Sequence, residues 1–158
     1  MEGVRPARSG DLDRLVDLAR EAIAELSGAK GGVVWRRHAA RTEPMRDGLA
    51  VDLEEPRSAV FVGTIDDAVV GYAVITVEAL ADGGDLAVLR DLYVEPDARG
   101  VGVGAAMMNA VLDWAREREC MGVDSVALPG SRETKNFFEG FGLVARAIIV
   151  HRGLDGDR

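Results

Sequence analysis

Three glycines alternate with valines in the segment Arg99-Gly100-Val101-Gly102-Val103-Gly104, between a predicted strand and a predicted helix. The amide groups at the start of a helix are free to donate, and the helix dipole favours negative charge there. Glycine lets the backbone approach a phosphate closely because no side chain is in the way, and Arg99 adds a positive charge beside it. This segment, which we call the glycine loop, therefore indicates a site for a phosphate-bearing ligand.

The glycine loop by itself does not identify that ligand. No Lys-Ser or Lys-Thr pair follows it, so it is not the phosphate loop of the P-loop nucleotide hydrolases. Its G-x-G-x-G spacing differs from the dinucleotide-binding fingerprint, and the strand before it belongs to an antiparallel meander rather than to a βαβ unit. A glycine turn that serves packing alone is the alternative.

Apolar periodicity predicts the elements that lead to the glycine loop. Residues 4–6 form a short strand, and the apolar positions of residues 12–26 fall on one face of a helix that Ser9 and Asp11 introduce. Residues 29–57 are less regular, with a second helix that glycine and proline interrupt. Three runs of strand-forming residues, separated by turn residues, then predict an antiparallel meander at 59–65, 69–77 and 86–94.

Two further helices and two further strands are predicted after the glycine loop. The helices cover residues 103–114 and 132–139, and the strands cover residues 123–128 and 143–150. A meander followed by strand–helix–strand units predicts a mixed sheet of the α/β (α+β) class. No linker or internal repeat divides the chain, so we expect one domain over residues 1–158.

Charge and cysteine content exclude several classes of protein. The 19 Lys and Arg against 27 Asp and Glu give a net charge of −8, which argues against nucleic acid as a partner. The acidic surface is either simply solvated or attracts cationic ligands such as amines. Cys120 is the only cysteine, so no internal disulfide forms, and two isolated histidines predict no metal site. With no apolar run near the ~20 residues of a membrane helix and no signal peptide, we expect a cytoplasmic chain without a membrane partner.

Residues 89–104, which read Leu-Arg-Asp-Leu-Tyr-Val-Glu-Pro-Asp-Ala-Arg-Gly-Val-Gly-Val-Gly, resemble the acetyl-CoA-binding motif of the GNAT acetyltransferase superfamily. The family pattern of Arg or Gln, two residues, Gly, one residue and Gly or Ala falls on Arg99, Gly102 and Gly104. Residues 136–143, Asn-Phe-Phe-Glu-Gly-Phe-Gly-Leu, are similar to the family's helix-to-strand segment. The order of elements also resembles the GNAT fold, an antiparallel meander joined to a parallel pair that is splayed around the cofactor and flanked by helices.

The resemblance implies an N-acetyltransferase that moves the acetyl group of acetyl-CoA directly to a primary amine of a small molecule or of a peptide or protein N-terminus. The backbone of Leu92, Tyr93 and Val94 would pair with the pantetheine arm like another strand. The Val94 amide would donate to the oxyanion that forms during transfer. The implied contacts of the pyrophosphate are Arg99, Gly100, Val101, Gly102, Val103, Gly104 and Ala105.

Three positions differ from the family pattern. The tyrosine that protonates the leaving thiolate falls on Phe138, which cannot donate, and the asparagine that contacts the cofactor falls on Ser131. A glutamate base of some members falls on Val88. We therefore expect Ser131 and Phe138 as cofactor contacts only. Either water carries the proton of the amine to a carboxylate, or the chain is a regulatory module that binds acetyl-CoA without turnover.

Asp91 is the acidic candidate for catalysis. An acidic residue just before an aromatic-Val pair resembles the polyamine acetyltransferases, which carry two adjacent acidic residues there, whereas the first position here is Arg90. The alternative for Asp91 is a salt bridge or a solvated carboxylate, and Glu78 and Asp85 are weaker candidates. Tyr93 is expected to pack away from the cleft because side chains alternate along a strand.

Partners follow from the same resemblance. Trp35 and His38 are candidates for the acceptor pocket, with packing and surface exposure as the alternative. The predicted strand at residues 143–150 offers an edge for a homodimer, as is common in the family. A nucleotide-binding α/β protein of another class, which would bind ATP or NAD, is the last alternative because the meander comes before the loop.

Overall fold

A computed structural model describes residues 1–155, which fold around one five-stranded sheet of order β1-β2-β3-β4-β5. The first four strands pair antiparallel in chain order, and the fifth pairs parallel with the fourth. This mixed sheet confirms the predicted fold class. The strands are β1 Glu2–Pro6, β2 Ser58–Ile65, β3 Ala68–Ala79, β4 Asp85–Val94 and β5 Val123–Ser125.

Residues 1–155 contain five helices, four of which cover the two faces of the sheet. α1 and α3 bury their apolar side chains against one face, and α4 and α5 bury theirs against the other. None of the helices in the described residues is long and apolar enough to cross a membrane. The helices are α1 Leu12–Ser27, α2 Gly32–His38, α3 Met45–Glu54, α4 Val103–Glu117 and α5 Arg132–Gly140.

The irregular region predicted at residues 29–57 contains two helices rather than one. α2 has seven residues and ends at His38, and α3 begins directly after Pro44. Proline has no amide hydrogen to give to a preceding turn, but it fits the start of a helix, where that hydrogen has no partner. Pro44 therefore separates the two helices and leaves residues 39–44 as their connection.

β4 contains a bulge at Arg90, next to the point where its pairing with β5 ends. Asp91 pairs with Val74 and Leu89 pairs with Ile75, so Arg90 is an extra residue that bulges from the ladder. β5 pairs with β4 only as far as Leu89, which faces Ser125. Among the described residues no strand pairs with this edge of β4 beyond Leu89, and we call the unpaired edge between the two strands the cleft.

The predicted strand over residues 143–150 is wrong. Val144, Ile148, Ile149 and Val150 are 82%, 85%, 93% and 89% exposed, and no strand neighbour accompanies them in the described chain. A Val- and Ile-rich segment becomes a strand only where a neighbour takes its backbone hydrogen bonds. β5 is likewise three residues long instead of six, because it leaves β4 after Ser125.

Candidate functional site

The glycine loop connects β4 to α4 and ends at the first backbone amides of that helix. Gly100 and Gly102 have φ values of 82° and 94°, a left-handed conformation that glycine adopts without strain. Gly102 is the N-cap residue of α4, so the amides of the next three residues have no acceptor within the helix. The loop therefore presents the positive end of a 15-residue helix, as the phosphate prediction requires.

The open edge of β4 leads directly into this loop. The Glu95 amide donates to the Val70 carbonyl, so Val94, opposite Gly71, occupies a non-hydrogen-bonded position of the β3–β4 ladder. The backbone groups of Val94 and of Leu92 therefore point into the cleft, whereas those of Tyr93 point towards β3. Of the three residues predicted to pair with pantetheine, the geometry favours Leu92 and Val94.

Arg99 is bound to its own chain. Its Nε donates to the Val94 carbonyl at 2.8 Å, and its Nη1 and Nη2 donate to Glu25 at 3.0 and 2.8 Å. The guanidinium carbon also lies 5.5 Å from the ring centre of Tyr93. The hydrogen bond with Glu25 raises the pKa of Arg99. Arg99 thus ties the end of β4 to α1, and Glu25 offsets part of its positive charge.

One aromatic residue of α5, Phe137, lies against the start of α4. A Cβ added to Gly104 would lie 3.3 Å from the ring of Phe137, so this ring rests against the first turn of α4. Phe138, the predicted cofactor contact, is 7% exposed and packs among the α4 side chains. Ser131 is the N-cap residue of α5, and its hydroxyl donates to the Thr134 hydroxyl at 2.6 Å. Sequence reasoning considered Phe138, which falls on the position of the family tyrosine, but not the adjacent Phe137.

An acidic groove of about 580 Å³ lies on the α1 side of the same β4 end. Tyr93 forms part of its wall and packs into the α1-side core, as strand alternation predicts. Burial raises the pKa of Tyr93, so its hydroxyl stays neutral at neutral pH. The lining consists of Glu21, Ala24, Tyr93, Glu95, Pro96 and Asp97. Glu95 forms an ion pair with Arg14, so Glu21 and Asp97 are the carboxylates that favour positively charged groups in the groove.

Asp91 lies at the base of the cleft inside a hydrogen-bonded cluster. Arg41 Nε donates to Asp91 Oδ2 at 3.0 Å, and Arg41 Nη2 donates to Asp91 Oδ1 at 2.9 Å. The Tyr72 hydroxyl donates to Asp91 Oδ2 at 2.8 Å. A carboxylate has about four lone-pair sites, so one site remains on Oδ1. We call Arg41, Asp52, Tyr72 and Asp91 the Arg41 cluster.

The Arg41 cluster is buried and carries one more negative than positive charge. Arg41 Nη1 lies 2.8 Å from Asp52 Oδ2, which makes an ion pair although the angle is poor for a hydrogen bond. The contact counts as an ion pair because the attraction between two charges depends on their distance and little on the angle. Burial alone would lower the pKa of Arg41, but Asp91 and Asp52 outweigh it and raise that pKa above its ordinary value. The pKa of Tyr72 is also raised, by burial first and then by Asp91.

Sequence reasoning missed three members of this cluster, which are Arg41, Asp52 and Tyr72. Arg41 follows the basic run at residues 36–38, which is exposed on α2, but its own side chain is 8% exposed. The residue type alone does not show that Arg41 is buried whereas residues 36–38 are exposed. Tyr72 carries a weak signal, because a hydroxyl within an apolar strand needs a partner.

The other candidates lie elsewhere. Glu78 lies near the end of β3 and Asp85 begins β4, so both are by the β3–β4 turn, and Asp85 pairs with Arg57 at 3.1 Å. Trp35 is half-buried and His38 is exposed on α2. Among residues 1–155, no group of three or more His, Cys, Asp or Glu side chains is arranged to hold a metal ion.

Residues 19–143 match the family described as acetyltransferase (GNAT) family. The chain belongs to this family. The predicted membership of the GNAT superfamily is therefore confirmed. Aminoglycoside N(6')-acetyltransferase type 1 from Klebsiella aerogenes is 32% identical over 75 residues, which are 46% of this chain and 49% of that enzyme. The chain thus matches about half of the length of this relative.

Solved structures share the fold over nearly the whole chain. A transcriptional regulator from Bacillus halodurans C-125 has a TM-score of 0.74 and 19% identity, with coverage of 98% of this chain and 100% of that one. AAC(6')-Iy in complex with the bisubstrate analog CoA-S-monomethyl-acetylneamine has a TM-score of 0.75 and 17% identity, with coverage of 97% and 98%. At these identities the similarity concerns the fold alone.

Proposed function

We propose that this chain is an acyl-CoA-dependent N-acyltransferase, which moves the acetyl group of acetyl-CoA directly to a primary amine, and that residues 1–158 act as one domain. The observation that carries the proposal is the continuous path from the unpaired edge of β4 to the amides of α4. A pantetheine arm has amides that match a strand edge, and a pyrophosphate has the charge that matches a helix start. Few other ligands combine both features.

Residues on the two sides of the cleft have separate roles in this proposal. Leu92 and Val94 hold the pantetheine arm, and residues 99–105 hold the pyrophosphate, with Ser131 and Phe138 beside the cofactor. The amine nitrogen bonds to the acetyl carbonyl carbon while the Val94 amide donates to the carbonyl oxygen. The carbon–sulfur bond then breaks, and the proton of the amine reaches the sulfur of CoA through water.

Asp91 is our candidate for the group that orients the amine. Its Oδ1 keeps one lone-pair site after Arg41 has donated to it, and the residue follows the bulge at the base of the cleft. That site can accept a hydrogen bond from the amine or from a water beside it. Asp91 is better suited to orient the amine than to take its proton alone, because three of its lone-pair sites are filled.

Small cationic amines are the acceptor class that we propose. The acidic groove beside Val94 attracts positive charge, and the Klebsiella aerogenes relative is an aminoglycoside acetyltransferase by name. Peptide or protein N-termini, which the sequence resemblance also implies as acceptors, are the second class. A cytoplasmic location stays a prediction.

Calorimetric titration with acetyl-CoA, with ATP and NAD alongside, tests the cofactor part of this proposal. We expect acetyl-CoA alone to bind, with a micromolar dissociation constant that corresponds to about −8 kcal/mol. Binding of ATP or NAD in its place would refute the assignment and favour a nucleotide-binding protein of another class.

A homodimer is also part of the proposal. Residues 144–150 expose four large apolar side chains, which a second copy would cover. Sedimentation equilibrium should give twice the chain mass of 16.9 kDa, and Ile149→Glu should return the protein to one chain. A wild type that stays monomeric at every concentration would exclude this dimer.

A further inference from the structure

Arg41 joins four elements of the fold at one point. It lies in the connection between α2 and α3, and its guanidinium reaches Asp91 on β4 and Asp52 on α3. Tyr72 on β3 completes the group through Asp91. The side chains of Arg41, Asp52 and Asp91 are 8%, 10% and 11% exposed, so solvent screens this cluster very little.

All three nitrogens of the Arg41 guanidinium contact a carboxylate. Nε and Nη2 bind the two oxygens of Asp91, while Nη1 faces Asp52. α3 passes close above it, because a Cβ added to Gly48 would lie 3.4 Å from Arg41 Nη1. Lysine carries the same charge but only a point-like ammonium, and so it cannot hold both carboxylates in this arrangement.

Stability alone gives little reason for such a cluster. Removing charged groups from water costs free energy that their attraction often fails to recover, and apolar residues of similar volume are commonly as stable. Arg41 pairs with both Asp52 and Asp91, so the cluster also holds one more negative than positive charge away from water, which adds to that cost. Its position offers another reason, since Asp91 directly follows the bulge where β4 separates from β5.

We infer that Arg41 is a positioning residue for acyl transfer, which fixes Asp91 and residues 39–44 as the acceptor-side wall of the cleft. The inference rests on the proposed function and adds to it a specific residue outside the family motifs. Arg41 lies on the sheet face covered by α1 and α3, whereas the glycine loop continues into α4 on the opposite face. Its replacement should therefore affect the amine and leave acetyl-CoA binding intact.

The test compares Arg41→Lys and Arg41→Ala with Arg37→Lys, an exposed arginine on α2 that serves as the matched control. We expect Arg41→Lys to lower kcat/KM for the best amine of a panel by about 10- to 100-fold, in line with the loss that small misplacements cause. The dissociation constant of acetyl-CoA should change less than about twofold, since no lost contact belongs to that site. Added guanidinium, but not methylammonium, should restore part of the activity of Arg41→Ala, because it refills the fork.

Four results would overturn the inference. An unchanged kcat/KM in Arg41→Lys would mean that the cluster serves the structure only. A loss of acetyl-CoA affinity as large as the loss in kcat/KM would mean the same. Failure of both variants to fold would assign Arg41 to stability. A wild-type protein that transfers to no amine would remove the proposed function together with the inference, whereas an active wild type with equally active variants would remove the inference alone.

Discussion

Replacing Ala105 by Glu is expected to weaken acetyl-CoA binding by about 100-fold or more, because two or more charge-assisted hydrogen bonds, each of about 1.5–3 kcal/mol, are lost. Ala105 is half-buried in the first turn of α4, three residues after the N-cap Gly102. A carboxylate there would occupy the place of the pyrophosphate and would repel it. Calorimetric titration of the variant with acetyl-CoA measures the effect.

This substitution separates binding from folding. Glutamate at the start of a helix is favourable by about 0.3–1 kcal/mol, so the melting temperature should not fall. Gly102 is a poorer probe because any side chain at its φ of 94° strains the backbone. Ala105→Gln is the control, with the same size and no charge, and it should bind acetyl-CoA more tightly than the glutamate variant. Equal affinity of Ala105→Glu and wild type would show that the phosphate lies elsewhere.

Replacing Asp91 by Asn is expected to lower kcat/KM for the amine by about 100-fold, since an orienting charge at the reaction centre is lost. Asparagine has the shape of aspartate, and the Tyr72 hydroxyl can still donate to its carbonyl oxygen. The substitution removes the excess negative charge of the Arg41 cluster, but the amide nitrogen takes the place of Oδ1 and faces the Arg41 Nη2 donor. The melting temperature should therefore fall modestly, and it is measured alongside the kinetics. Steady-state kinetics with varied amine and saturating acetyl-CoA provide the measurement.

Asp52→Asn is the matched comparison for Asp91→Asn. Both variants remove one carboxylate from the same cluster and leave the same net charge, but Asp52 lies on α3, away from the bulge of β4. We expect Asp52→Asn to lose less than about tenfold in kcat/KM. Equal losses in the two variants would mean that the charge balance of the cluster matters and that Asp91 has no special role.

Local sequence patterns predicted most of the fold. The apolar positions of α1 and α4 and the turn residues of the meander act over short distances, so their elements appear where periodicity places them. The glycine loop was equally visible, because positive φ values and close approach need glycine and leave a mark in the sequence. Family membership, inferred from residues 89–104, depends on the same local motifs.

The parts that sequence reasoning missed depend on distant contacts. Residues 143–150 have the composition of a strand, but a strand needs a neighbour, and the sequence does not show whether one is present. Arg41 lies 50 positions from Asp91 along the chain, and nothing near it indicates a buried guanidinium. The direction of the Leu92 and Val94 amides likewise depends on the register of β3, which the bulge at Arg90 sets.

The measurement that tests the central claim most directly is thioester consumption by the wild-type protein with acetyl-CoA and a panel of amines, from polyamines and aminoglycosides to peptide N-termini. The proposed function predicts that free CoA appears together with an equal amount of N-acetylated amine, detected by mass spectrometry. Acetyl-CoA that binds but is consumed with no amine of the panel would contradict it, and the chain would then be a binding module of the GNAT family.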